Sequence, residues 1–154
     1  MEELNTFLIE AKKATYANAN IEKVTSSRHG SNDYEYTNGK MTYHDTYFGG
    51  TKFIGEEVVY KEGLDTPIWG MNYYGVTLDE TQSEEAMDKA LRPALMKVGE
   101  DDVLPVRGPK HFVNDGYEYS FTVDGNLESF NGVEEIRKDG KLIYRLRCTG
   151  GIII

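Results

Sequence analysis

The chain has 154 residues and a formal net charge of −9, because 26 acidic side chains outnumber 17 Lys and Arg. This excess of negative charge opposes direct binding to the phosphate backbone of nucleic acids, and the length fits one ordinary domain. A hydrophobic content of 39% and an aromatic content of 12% exclude a disordered chain and indicate a folded globular protein.

The first half of the chain predicts one helix followed by four strands. Apolar residues recur at helical intervals and predict a helix over residues 3–16: Leu4, Phe7, Leu8, Ala11 and Ala14. The polar segment 18–32 predicts a long loop. From Asp33 the pattern alternates with period two, and Asn38-Gly39 is typical of a type I′ turn between two strands. Further strands are predicted over 53–60 and 68–74, which completes an antiparallel meander.

The second half predicts one helix followed by three strands. The segment Thr81-Gln82-Ser83-Glu84 matches a capping box and begins a helix that ends at Gly99. Pro93 is expected to kink or break this helix, because proline cannot continue the backbone hydrogen bonds. Residues 101–114 predict a loop. The last three strands are predicted over 117–123, 130–137 and 142–148.

These elements predict a single α+β domain over residues 1–154, with no internal repeat and no linker. Its largely antiparallel sheet has about six to seven strands, and the two helices pack on one face of the sheet.

Targeting and cysteine signals are sparse. Cys148 is the one cysteine, so no internal disulfide and no multi-cysteine metal site is expected. The N-terminus lacks the basic and apolar regions of a secretory signal, and no apolar run approaches the ~18–20 residues of a membrane helix. We therefore predict a cytoplasmic protein that does not associate with membranes.

No motif marks a familiar catalytic or cofactor-binding class. The chain lacks a phosphate-binding loop, a dinucleotide-binding fingerprint, a zinc-protease helix, a serine-hydrolase elbow and an EF-hand. Its three histidines show no metal-ligand spacing. We predict no cofactor, no metal and no catalytic residue. A catalytic pair of His44 and Asp45 is not expected either, because neighbours on a strand face opposite ways.

Two adjacent glutamates offer the clearest candidate for a binding site. Glu56 and Glu57 must point to opposite faces of their predicted strand, and each shares its face with apolar neighbours. One of them is expected to border the core, where a carboxylate needs a cation or hydrogen-bond donors, although the pattern leaves open which one. A purely structural glutamate, satisfied by Arg107, Lys52 or a backbone amide, is the alternative.

Aromatic and arginine residues can complete such a site. Glycines flank Trp69, Asn72 and Tyr73, an arrangement typical of a pocket wall or of core packing. Trp69 is expected to be largely buried. Arg107, in Arg107-Gly108-Pro109, has a planar fork suited to a carboxylate or phosphate, and a surface position is its alternative. The predicted ligand-binding residues are Tyr47, Gly49, Gly50, Glu56, Glu57, Trp69, Asn72, Tyr73 and Arg107. Of these, Tyr47, one glutamate, Tyr73 and Arg107 are expected to bound a partly apolar pocket.

Long segments also resemble a known family. These are residues 44–60, 67–75, 105–109 and 117–136 and the pair Gly150-Gly151, and the N-terminal segment 7–17 fits as well. The chain is similar to a bacterial domain of unknown function, DUF5680. The resemblance implies a domain that often follows an Xre-type helix-turn-helix module in transcription regulators. No such module is expected here, since the resemblance begins near Leu4. The family resemblance implies no established activity.

We therefore favour a non-enzymatic ligand-sensing or interaction domain of bacterial regulator type, standing alone. One alternative is a small-molecule enzyme that uses a sheet glutamate with Tyr73 or Arg107. The other is an acidic protein-binding module, which clustered surface carboxylates without a pocket would favour. Expected partners are a small polar or aromatic ligand, a protein or a second copy of the chain, and neither nucleic acid nor membrane.

Overall fold

Helix α1 (Glu2–Ala14) begins the fold in the computed structural model, which describes residues 1–154. Glu2 and Glu3 lie in its first turn and Lys12 and Lys13 in its last, so the charges complement the helix dipole. The predicted apolar face of α1 is buried in the core.

Eight antiparallel strands form one open sheet from two meanders. The first meander comprises β1 (Asn32–Asn38), β2 (Met41–Gly49), β3 (Lys52–Lys61) and β4 (Pro67–Thr77). The second comprises β5 (His111–Asn114), β6 (Tyr117–Asn126), β7 (Ser129–Lys138) and β8 (Lys141–Ile152). The strand order β1-β2-β3-β4-β8-β7-β6-β5 places the last strand of each meander side by side in the centre.

The predicted α+β class is confirmed, but the sheet has one strand more than expected. The additional strand β5 (His111–Asn114) lies in a segment that was predicted to be a loop. It is short, mostly exposed and paired only with β6 at the edge of the sheet, so its residues carry little of the alternation that marks a strand.

The second helical segment, residues 80–95, is irregular, as Pro93 predicts. A 3-10 turn (Glu80–Gln82), an α-helical turn (Ser83–Ala86), a π-helical turn (Met87–Leu91) and a last α-helical turn (Arg92–Leu95) follow one another. Pro93 has no N–H to donate and its ring clashes with a carbonyl in the preceding turn, which accounts for the widening just before it. No helix of the molecule, α1 included, has the length and apolar character needed to cross a bilayer.

Two details of this segment differ from the prediction. The capping box is wrong, because the segment begins as a 3-10 turn and the Thr81 hydroxyl donates to the Asp79 carboxylate, 2.6 Å away, instead of capping a helix. The helical backbone also ends at Leu95, before the predicted end at Gly99.

Both helical elements cover the same face of the sheet. Their buried residues share one core cluster with inward-facing side chains of the strands, among them Tyr43, Val59 and Met71. On the opposite face Ile54 and Tyr74 are exposed, so no helix covers the middle of that side.

The two halves of the chain repeat one plan, a helix followed by a four-stranded meander, although the sequence predicted no repeat. The strand registers show it: Phe53-x-Gly55-x-Glu57 on β3 occupies the position that Phe130-x-Gly132-x-Glu134 occupies on β7. In each half the glutamate lies opposite an apolar residue of the central strand, Met71 or Leu146. Few other residues match, which explains why the sequence alone does not reveal the repeat.

Candidate functional site

A partly open cavity of about 240 Å³ lies between the helices and the covered face of the sheet. Its floor comes from β2, β3 and β4, and its walls come from the end of α1 and from the second helical segment, including Met87 and Leu91 of the π turn. The volume exceeds the ~150 Å³ of a cavity that encloses benzene, so there is room for a small organic molecule.

The structure brings most of the sequence-predicted residues to this cavity. The side chains of Tyr47, Glu57, Tyr73 and Arg107 line it, together with Gly49-Gly50 at the end of β2. The strand register shows that Glu57, and not Glu56, faces the helices. Glu57 lies opposite Asp45 on β2 and shares the covered face of the sheet with it.

Three predicted residues lie elsewhere. Because side chains alternate along a strand, Glu56 and Asn72 point to the opposite face, where they line an open groove of about 830 Å³. There Glu56 forms an exposed ion pair with Arg28. Trp69 is fully buried, as expected, and stacks on Phe130 with ring centroids 5.9 Å apart. It lines neither the cavity nor the groove.

Glu57 is buried beside two cations. Its carboxylate forms an ion pair with Lys12 of α1, and Arg107 Nη1 lies 4.0 Å from Glu57 Oε1. Only 2% of Glu57 is exposed. A carboxylate in this position needs such partners, because removing its charge from water is costly. Sequence reasoning missed Lys12, although its position one residue after Ala11 places it at the edge of the apolar face of α1.

Arg107 is fixed by a second carboxylate. Arg107 Nε and Nη2 donate to the two carboxylate oxygens of Glu134 at 2.8 and 2.7 Å. The hydroxyls of Tyr119 and Tyr144 donate to the same carboxylate at 2.7 and 2.9 Å. Burial acts to lower the pKa of Arg107, but the charge and hydrogen bonds of Glu134 outweigh it and hold that pKa well above its usual range. The alternative of a surface arginine is therefore wrong.

Asp45 is a second polar residue of the cavity that the sequence analysis missed. It is 4% exposed, lines the cavity and accepts a hydrogen bond of 2.6 Å from the Tyr73 hydroxyl. No Lys, Arg or His lies within ion-pair distance of its carboxylate. Burial, and then the negative charge of Glu57, raise the pKa of Asp45 to about 7. The signal in the sequence was alternation, which places Asp45 on the same face as Tyr43 and Tyr47.

The partner of His44 lies on the other face of the sheet. His44 Nε2 is 2.7 Å from Asp33 Oδ2, and Ser27, Ser31 and Thr46 also donate to the Asp33 carboxylate. As expected, His44 does not pair with Asp45.

Aromatic rings form much of the cavity wall. They belong to Tyr16, Tyr43, Tyr47, Phe53, Tyr73 and Tyr144. Arg92, the residue that follows the π turn, lies over the Tyr16 ring at 5.1 Å from its centroid and donates to Asp88 at 3.0 Å. Its Nε is buried without a hydrogen-bond partner. No group of three or more His, Cys, Asp or Glu in the molecule is arranged to hold a metal ion.

The fold and site thus define an α+β domain in which an eight-stranded sheet and two helical elements enclose an aromatic-walled cavity with buried charges. The family model of a domain of unknown function, DUF5680, matches residues 45–153, and the chain belongs to that family. The match includes Asp45, Glu57, Tyr73 and Arg107 but not α1. No curated protein and no solved structure matches the chain.

Proposed function

We propose that this protein is a non-enzymatic ligand-sensing domain that takes a small organic molecule into the cavity between its helices and its sheet. The observation that carries the proposal is the cavity of about 240 Å³, walled by aromatic rings and containing the carboxylate of Asp45 without a basic partner. Such a combination of apolar wall and few fixed polar groups is typical of small-molecule sites.

The polar groups around the cavity are arranged for recognition. Lys12 holds Glu57, Glu134 holds Arg107 in a bidentate pair, and Tyr73 holds Asp45. Side chains fixed in this way lose little conformational freedom when a ligand binds, which favours affinity and selectivity.

The cavity wall also offers a route by which a ligand can change the protein. Met87 and Leu91 begin and end the π turn and both line the cavity. π turns interrupt the regular helical hydrogen bonds and are frequent at functional sites. A ligand that contacts these two side chains acts directly on the least regular part of the helical layer.

A second candidate, a small-molecule enzyme, is favoured by one observation. Asp45 is a buried carboxyl group with a pKa of about 7, hydrogen-bonded to the Tyr73 hydroxyl inside a cavity. A group that gains and loses a proton near neutral pH is suited to general acid or base chemistry. Glu57 is less suited to this role because Lys12 pairs with it. The cavity itself favours both candidates over an acidic protein-binding module, for which no pocket is needed.

The test uses three probes of one shape: 2-phenylethylamine, 2-phenylethanol and phenylacetate, which are cationic, neutral and anionic at pH 8. Titrations followed by protein NMR are expected to show saturable binding of at least one probe. Binding is expected to disappear in Gly50→Trp, which places a ring at the edge of the cavity, where an added Cβ meets no atom within 4 Å.

The matched control is Asn131→Trp, which adds the same ring to the groove on the opposite face. It should leave binding unchanged. No binding by any probe, or binding lost in the control and kept in Gly50→Trp, would contradict the proposed function. Steady conversion of a bound probe to a new species would favour the enzyme instead.

A further inference from the structure

We infer that the ligand of this cavity is a small organic cation whose positively charged nitrogen pairs with the carboxylate of Asp45. The inference rests on the proposed function and adds the chemical class of the ligand. Three independent features support it: the pairing of the buried charges, the aromatic wall, and the comparison between the two halves of the fold.

The other buried carboxylates have either a cation or several hydrogen-bond donors. Glu57 pairs with Lys12, and Glu134 pairs with Arg107. Asp33 accepts hydrogen bonds from three hydroxyls and lies 2.7 Å from His44 Nε2. Asp45 has only the Tyr73 hydroxyl. Arg92 also lines the cavity but pairs with Asp88, so an ionised Asp45 has no cation of its own, and a bound monocation supplies one. Lys12 and Arg107 line the same cavity, but each already pairs with a glutamate, so an anionic ligand would meet the unpaired carboxylate of Asp45.

The aromatic wall suits a cation. The faces of aromatic rings carry negative potential and attract cations at about 6 Å or less from the ring centroid. Cations of the protein already use rings in this layer: Lys12 Nζ lies 5.7 Å from the centroid of Tyr43, and the Arg92 guanidinium lies 5.1 Å from that of Tyr16. Tyr47, Phe53 and Tyr73 offer further ring surface in the same cavity.

The repeat in the fold shows that the Asp45–Tyr73 pair is not needed to build the sheet. Asp45 lies opposite Glu57, and the corresponding residue opposite Glu134 is Phe121. Tyr73 lies opposite Gly55, and in the second half Cys148 occupies the corresponding place opposite Gly132.

The same backbone arrangement is therefore filled by two apolar side chains in the second half, where Phe121 and Cys148 pack close to Gly132. The carboxylate and hydroxyl occur only in the first meander, which forms the floor of the cavity.

Protonation of Asp45 provides a test that needs no substitution. The groups that face Asp45 are Tyr73 from β4, Glu57 from β3, Lys12 from α1 and Arg107 from the loop before β5. Arg92 also lines the cavity. Burial and Glu57 raise the pKa of Asp45 to about 7, so below that pH a cation must displace a proton to bind. Affinity for a cation should therefore fall by about tenfold between pH 8 and pH 6, whereas affinity for a neutral probe should not.

The experiment measures dissociation constants of 2-phenylethylamine and 2-phenylethanol by NMR titration at pH 8. The amine is expected to bind at least about tenfold more tightly than the alcohol, a ratio that corresponds to one buried charge pair. Asp45→Asn keeps the side-chain shape and removes the charge. This variant should raise the dissociation constant of the amine by about tenfold or more and change that of the alcohol by less than about twofold. Thermal unfolding of the variant verifies that it is folded.

The outcomes separate this inference from the proposed function. If the alcohol or phenylacetate binds in the cavity as tightly as the amine, the cavity is a ligand site, but the inference that its ligand is a cation is refuted. An amine affinity that is unaffected by Asp45→Asn and by pH also refutes the inference. If no probe binds, both the proposed function and the inference fail.

Discussion

Replacing Asp45 by asparagine should make the protein more stable above neutral pH. The substituted side chain would keep the original shape and an oxygen that accepts the hydrogen bond from Tyr73, but it would carry no charge. The wild-type carboxylate is 4% exposed and has no basic partner, so its ionised form is unfavourable in the folded protein.

The size of the effect follows from the pKa. Folding raises the pKa of Asp45 from 3.8 to about 7, so between these values the folded protein holds a proton that the unfolded chain releases. The contribution of Asp45 to wild-type stability therefore falls as the pH rises from about 4 to about 7, and the loss is complete above 7. Three pKa units correspond to roughly 4 kcal/mol. The asparagine variant lacks this loss and should exceed the wild type by roughly that amount at pH 8 and by under ~1 kcal/mol at pH 4.

Urea unfolding, followed by the fluorescence of Trp69, the one tryptophan, gives the free energies of unfolding of the wild type and of Asp45→Asn at pH 4, 6 and 8. Asp65→Asn, in an exposed turn, is the matched control and should differ little from the wild type at any of these pH values. The reasoning is refuted if Asp45→Asn is less stable than the wild type at pH 8, since ionised Asp45 would then be stabilising the fold through Lys12 or Arg107.

Three further predictions concern the core, the ion pairs and nucleic acids. Lys12→Met should lower the free energy of unfolding in urea by ~3–5 kcal/mol, because it leaves Glu57 buried without its ion pair. Adding Glu57→Gln should recover much of this loss. Equal losses for the single and double variants would refute the role of the ion pair. Trp69→Ala should lower the free energy of unfolding by ~3–5 kcal/mol, because Trp69 is fully buried. A loss under about 1 kcal/mol would show that Trp69 does not pack in the core. Fluorescence anisotropy at ~0.15 M salt should detect no saturable binding of duplex DNA below roughly 100 μM, and micromolar sequence-selective binding would contradict the argument from net charge.

Most of the fold was predictable because its strands carry local signals. Alternation and glycine turns, such as Asn38-Gly39, mark seven of the strands, and helical periodicity marks α1. What local signals do not contain is the pairing of distant strands. β5 forms because β6 lies beside it, and the adjacency of β4 and β8 in the centre depends on the packing of both meanders.

The candidate site was predictable in part for the same reason. Alternation required one of Glu56 and Glu57 to face inward, but only the register with β2 and the position of Lys12 decide that it is Glu57. Asp45 went unrecognised because its significance lies in what surrounds it. A carboxylate without a basic partner is identified only when every neighbour in space is known.

Methyl NMR tests the central claim, that the cavity is the ligand site, most directly. The methyl groups of Met87, Leu91 and Leu95 line the cavity, and those of Ile54 and Val133 line the groove on the opposite face. With 2-phenylethylamine bound, nuclear Overhauser effects from its ring protons should reach Met87 and Leu91 and should not reach Ile54 or Val133. Contacts to Ile54 and Val133, or no contacts at a saturating concentration of the amine, would contradict the account.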